Sequence, residues 1–115
     1  MGLCANTIDD FGSEEQKKEV LPKMRNFEWI GGWGLTEKDN GSDASNLKTQ
    51  CEKLPNGKWK INGNKRWIGN ANKDLMVVFA RDVSSRNVQG FVVFLNDNPN
   101  VKRAPIKNKL ALRSV

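Results

Sequence analysis

The rhythm of hydrophobic and polar positions changes at Glu28. Before it, Gly12-Ser13-Glu14-Glu15-Gln16 reads as a helix start. Ser13 can cap the free backbone N–H groups, and Gln16 stands where a capping box needs it. Glu14 and Glu15 fall in the first turn and Lys17 and Lys18 follow, the order that suits the helix dipole. Pro22 is expected to limit this helix to a few turns, because it pushes the preceding residue toward extended geometry. From Glu28 onward the segments are short and rich in tryptophan, valine, isoleucine and phenylalanine.

Lys58-Trp59-Lys60-Ile61 alternates polar and apolar, as a half-buried strand does. Leu75 to Ala80 and Phe91 to Leu95 are continuous apolar strands joined by the polar loop Arg81 to Gly90. Asn56-Gly57 and Asn62-Gly63 are both two-residue turn signals. Asn98-Pro99-Asn100 makes a further turn, and Val101 to Arg113 has room for one or two more strands. Short, closely spaced strands with turn residues between them predict a mainly β chain: a small antiparallel barrel or sandwich after a short helical segment.

At 115 residues and 13.0 kDa the chain has room for one domain with a modest core. Its longest apolar run is far too short to span a bilayer, and no charged-then-apolar leader follows Met1. Cys4 and Cys51 make no disulfide framework, which favours a reducing, intracellular compartment. The absence of histidine excludes a histidine-based triad and speaks against a zinc or other metal site. Charge is uneven: six Lys/Arg and nine Asp/Glu lie up to Gln50, against thirteen and four beyond it. The second half therefore carries a positive field that attracts phosphates. Without a recognition motif, nucleic acid is the weaker reading of that charge.

Candidate chemistry concentrates in "WGLTEKDNGSDAS", Trp33 to Ser45. A Trp-x-Leu-Thr strand runs straight into a loop of short hydrogen-bonding side chains, with Gly41 permitting close approach. About thirty residues later "KRWIGNA" repeats the theme with Trp67, Gly69 and Asn70. Two large planar side chains with donor-rich turns suit a flat heteroaromatic ligand. They equally suit two core tryptophans beside two ordinary turns.

"GSEEQKKEVLPKM", "WGLTEKDNGSDAS", "WKINGNKRWIGNANKDLMVVFAR" and "GFVVF" stand in the order found in the acyl-CoA dehydrogenase and oxidase family. The chain resembles that family from about Ile8 to Val115. Within it, the likeness is nearest to the short-chain acyl-CoA oxidases of plant peroxisomes, with glutaryl-CoA dehydrogenases next. The resemblance implies that residues 1–27 end a helical domain and that 28–115 form most of a central β domain. It implies FAD as cofactor and an acyl-CoA thioester as substrate, with α,β-dehydrogenation as in fatty acid β-oxidation. Carried over by motif, Trp33, Leu35 and Thr36 line the flavin, and the Thr36 hydroxyl bonds its pyrimidine edge. Trp67 lies against the ring system, with Ile68 and Gly69 beside it. Gly41 and Ser42 meet the substrate and its CoA portion.

Two residues depart from the family pattern. Lys38 replaces the usual proline after Thr-Glu, loosening the turn and adding a positive charge. Gly69 stands where the dehydrogenases typically place threonine, which opens space beside the reactive edge and suits an oxidase. No carboxylate matches the family's catalytic motif, so no catalytic residue is assigned, and the chain is expected to be a fragment, inactive by itself. The alternative is a non-enzymatic β module that pairs through an open sheet edge, as a homo-oligomer or with missing domains. A peroxisomal setting goes with the first reading, and a mitochondrial one is its alternative.

Overall fold

In a computed structural model that describes residues 2–104 and 107, two helices cover one face of a five-stranded sheet. Helix α1 spans Gly2–Phe11 and α2 spans Glu14–Arg25. Each buries a pair four residues apart, Cys4 and Ile8 on α1 and Val20 and Met24 on α2. That spacing puts both members of a pair on one helix face. The four side chains meet Leu75 and Val77 of the sheet in one core. Full burial of an aliphatic side chain of this size contributes about 1.5–3 kcal/mol.

The capping box at the start of α2 is formed. Gln16 N donates to Ser13 Oγ (3.2 Å), and Ser13 N donates to Gln16 Oε1 (2.9 Å). Pro22 does not stop the helix as its local geometry predicts: α2 runs through it to Arg25. The burial of Val20 and Met24 on either side of Pro22 offsets the backbone bond the proline cannot donate. Helix α1 has no counterpart in the sequence pattern.

The strands are β1 (Gly31–Gly34), β2 (Gln50–Lys53), β3 (Trp59–Asn62), β4 (Leu75–Asp82) and β5 (Val88–Phe94). β4 organises the sheet. One side of it pairs antiparallel with β5, from Leu75↔Phe94 to Arg81↔Val88. Its other side is shared: Leu75–Val78 pairs parallel with β1, and Arg81 and Asp82 pair parallel with Gln50 and Cys51 of β2. β2 and β3 form an antiparallel hairpin, Lys53↔Trp59, closed by residues 54–58 with Gly57 at φ +81°.

The mainly β expectation therefore holds, with two corrections. The sheet is mixed rather than antiparallel, because β1 and β2 both return to β4 through connections long enough to restore the same direction. Among the described residues it is also open, not closed into a barrel. Asn62-Gly63 makes no hairpin, since Asn62 is the last residue of β3. The loop expected over Arg81 to Gly90 shrinks to residues 83–87. Asn98 to Val101 does turn, with Val101 N donating to Asn98 O at 3.2 Å. No strand forms over residues 101–104, and most of the stretch expected to add strands lies outside the described residues. Cys4 and Cys51 are free and buried, and burial pushes both thiols up, with Asp82 adding to the effect at Cys51.

Candidate functional site

The chain leaves β1 at Gly34 and continues extended through Leu35 and Thr36, both half-buried. The segment Lys65–Asn70 runs beside it. Arg66 N donates to Thr36 O (2.9 Å), Lys65 Nζ to Leu35 O (3.0 Å) and Asn70 Nδ2 to Gly31 O (3.4 Å). Gly32 lets the two backbones close up: a Cβ there would stand 2.7 Å from Gly69 O. The two tryptophan motifs, apart in sequence, are thus one ledge in space.

Along that ledge Trp33 is half-buried, its ring edge-on to Phe79 at 5.3 Å. Its Nε1 is buried and has no partner among the described residues. Trp67 is 62% exposed and sits at φ +60°, with the Arg66 guanidinium 5.3 Å from its ring. A bulky residue in the left-handed region costs on the order of 1–3 kcal/mol and clusters at functional sites. Ile68 is half-buried. Gly69 is exposed, and nothing lies within 4 Å of where its Cβ would be.

Thr36 leads into a loop whose neck is tied by Glu37. This carboxylate, 6% exposed, accepts from Lys48 N (2.6 Å) and Thr49 N (2.9 Å) and from Lys65 Nζ (2.9 Å). Burial alone would raise its pKa, but the bonds from Thr49, Lys65 and the Lys48 backbone outweigh that and lower it to about 2. Farther along, Arg81 of β4 donates to the Ser45 carbonyl, in a 3-10 turn over Ala44–Asn46. Gly41 and Ser42 lie exposed at the loop's tip, with open space around Gly41. A shallow groove of about 500 Å³ separates Lys38 and Asn40 on this loop from Asn64 and Arg66. The sequence gives Glu37 no structural role, and its separation of 28 positions from Lys65 hides their pairing.

The profile of the acyl-CoA dehydrogenase middle domain matches residues 32–115. The chain belongs to the acyl-CoA dehydrogenase family. It is 35% identical over 108 residues to a glutaryl-CoA dehydrogenase of Desulfococcus multivorans, covering 90% of this chain and 28% of that one. Against a mitochondrial isovaleryl-CoA dehydrogenase of Oryza sativa subsp. japonica the identity is 32% over 114 residues, covering 96% and 28%. The crystal structure of a glutaryl-CoA dehydrogenase from Mycobacterium smegmatis in complex with FADH2 superposes with a TM-score of 0.87 at 37% identity. That match covers 95% of this chain and 28% of the other. The chain spans little more than a quarter of the length of these acyl-CoA dehydrogenases.

Proposed function

We propose that this chain forms the FAD- and acyl-CoA-binding part of an enzyme that introduces an α,β double bond into acyl-CoA thioesters. The carrying observation is the ledge itself, which sets Trp33–Thr36 and Trp67–Gly69 side by side. Its chemistry fits a flat, acceptor-rich ring. Trp67 offers an exposed aromatic face, and open space surrounds the position of a Cβ on Gly69, two residues on. When bound, FAD supplies the two-electron acceptor for the dehydrogenation. Trp33, Leu35, Thr36, Trp67, Ile68 and Gly69 would hold its ring system, and the Thr36 hydroxyl would donate to the pyrimidine edge. Gly41 and Ser42, at the exposed loop tip, meet the acyl-CoA. Residues 1–27 belong to a helical domain, and 28–115 to the central β domain.

The finer reading is an oxidase. The open space at Gly69 lets oxygen approach the reduced ring, and a peroxisomal setting of β-oxidation goes with it. A mitochondrial dehydrogenase is the alternative, supported by the similarity to the mitochondrial isovaleryl-CoA dehydrogenase. A second reading, pairing with another chain, draws on the open sheet, where among the described residues β3 pairs on one side only, with β2.

The test is a titration of the purified chain with FAD, followed by flavin fluorescence and absorbance. Saturable quenching with a perturbed flavin spectrum, altered again by butyryl-, hexanoyl- or glutaryl-CoA, is the expected result. Flavin that stays free, together with a colourless oligomer in sedimentation, would favour the pairing reading instead.

A further inference from the structure

Two charged side chains that are not among the proposed flavin contacts hold both segments that carry those contacts. Lys65 is 9% and Glu37 6% exposed at the side chain, with Nζ and Oε1 2.9 Å apart. The same Nζ donates to the Leu35 carbonyl at 3.0 Å, and the next backbone N–H, of Arg66, donates to the Thr36 carbonyl at 2.9 Å. Leu35 and Thr36 are flavin contacts in the reading above, and Trp67 follows Arg66 directly. Glu37 in turn fixes the backbone of Lys48 and Thr49, the far end of the loop that bears Gly41 and Ser42. Three segments therefore converge on one ion pair.

The chemistry of the pair explains why it can set distances. Both charges are largely out of water, the carboxylate accepting three bonds and the ammonium donating two, so neither can shift without leaving the other unpaired. Breaking such a pair from one side is far more costly than removing both charges together. Surface ion pairs, by contrast, hold nothing in place. We propose that Glu37 and Lys65 form a positioning pair for FAD, fixing the spacing between the Leu35–Thr36 and Trp67–Gly69 segments and thereby the width of the flavin ledge. Neither residue touches the ring. The inference rests on the flavin reading, and the ion pair acts through the backbones it holds.

The experiment compares FAD affinity, by flavin fluorescence quenching, with thermal stability in the purified chain and three variants. Lys65→Met should raise the Kd for FAD about tenfold, the equivalent of one misplaced hydrogen bond. Lys65→Arg, which keeps the charge and the donors, should restore most of the affinity. Since Lys65→Met strands a buried carboxylate and can fail to fold, the double variant Glu37→Gln/Lys65→Met removes both charges. It should melt above Lys65→Met, though below the wild type because a glutamine amide at position 37 can accept from only one of the two backbone N–H groups, and bind FAD about tenfold more weakly, with a shifted flavin absorption band. Hydrogen exchange should quicken at the Lys48, Thr49 and Arg66 amides while the β4–β5 ladder stays protected. A double variant that binds FAD with wild-type affinity and spectrum overturns the proposal and leaves the pair a purely structural one. A wild-type chain that binds no FAD overturns the flavin reading itself, and is told apart because it needs no variant.

Discussion

Gly63 lies flush against Thr49: a Cβ on Gly63 would stand 2.7 Å from both the Cα and the Cβ of Thr49. Thr49 is 3% exposed, and its backbone N–H is bound to Glu37, so it has little freedom to retreat. Gly63→Ala should therefore cost about 1–3 kcal/mol, the usual range for overpacking against backbone. Urea melts of the two proteins measure it. An unchanged midpoint would show that the loop neck yields.

Glu37 makes stability fall in acid. Its carboxyl drops from the ordinary 4.5 to about 2 in the folded chain, so the unfolded chain binds the proton first. The stabilisation is complete above pH 4.5 and is lost as pH falls through about 2. That drop corresponds to about 3 kcal/mol at about 1.4 kcal/mol per pH unit. Glu37→Gln should lower stability at pH 7 and flatten the curve between pH 4.5 and 2. Chemical melts at a series of pH values give both numbers, and a parallel curve for the variant would refute the assignment.

Acyl-CoA turnover by this chain alone should be absent. Glu37, the carboxylate nearest the ledge in sequence, has both oxygens committed to Lys48, Thr49 and Lys65. It cannot reach the α proton of a substrate while it holds the loop, and base catalysis needs hydrogen-bond reach. Peroxide release and dye reduction with butyryl-, hexanoyl- and glutaryl-CoA plus FAD should stay at background. Rates of about 1 per second or more, usual for enzymes, would contradict this.

Gly69→Thr should leave the fold intact and change the reaction with oxygen. Nothing lies within 4 Å of the new Cβ, so the change in stability should stay within about 0.5 kcal/mol. With FAD bound and reduced, the added hydroxyl should slow reoxidation roughly several-fold to tenfold, the worth of one hydrogen bond. Stopped-flow mixing with air-saturated buffer reads the rate. An unchanged rate constant would make Gly69 a turn residue only.

Local rules were legible where one stretch of sequence decides the outcome. Ser13 and Gln16 form their capping box because both partners lie within one helical turn. The apolar run from Leu75 and the one ending at Phe94 pair as strands because each is strongly β-forming by itself. The strand expected over Trp33 to Thr36 instead pairs over Gly31–Gly34, because β4 gives that stretch a ladder and Cys4 and Met24 need a glycine beneath them. Pro22 misleads in the opposite direction, since burial on both sides of it overrides its own preference. At the site, both tryptophan motifs were visible, and the family resemblance implied flavin-binding roles for them. Their contact was not visible, because it depends on Arg66 meeting Thr36 and on a glycine at position 32.

The double use of β4 has a consequence for the order of folding. Gly31 meets Leu75 and Gln50 meets Arg81, so each parallel ladder closes only after a long stretch of chain has been gathered in. Such closures are entropically slow compared with the β4–β5 hairpin, whose strands are joined by five residues, 83–87. Leu35–Thr36 and Trp67–Gly69 of the ledge lie inside those long connections. A refolding chain should thus zip up the β4–β5 hairpin first and gain affinity for a planar ligand last, so that ligand capture times the completion of the topology.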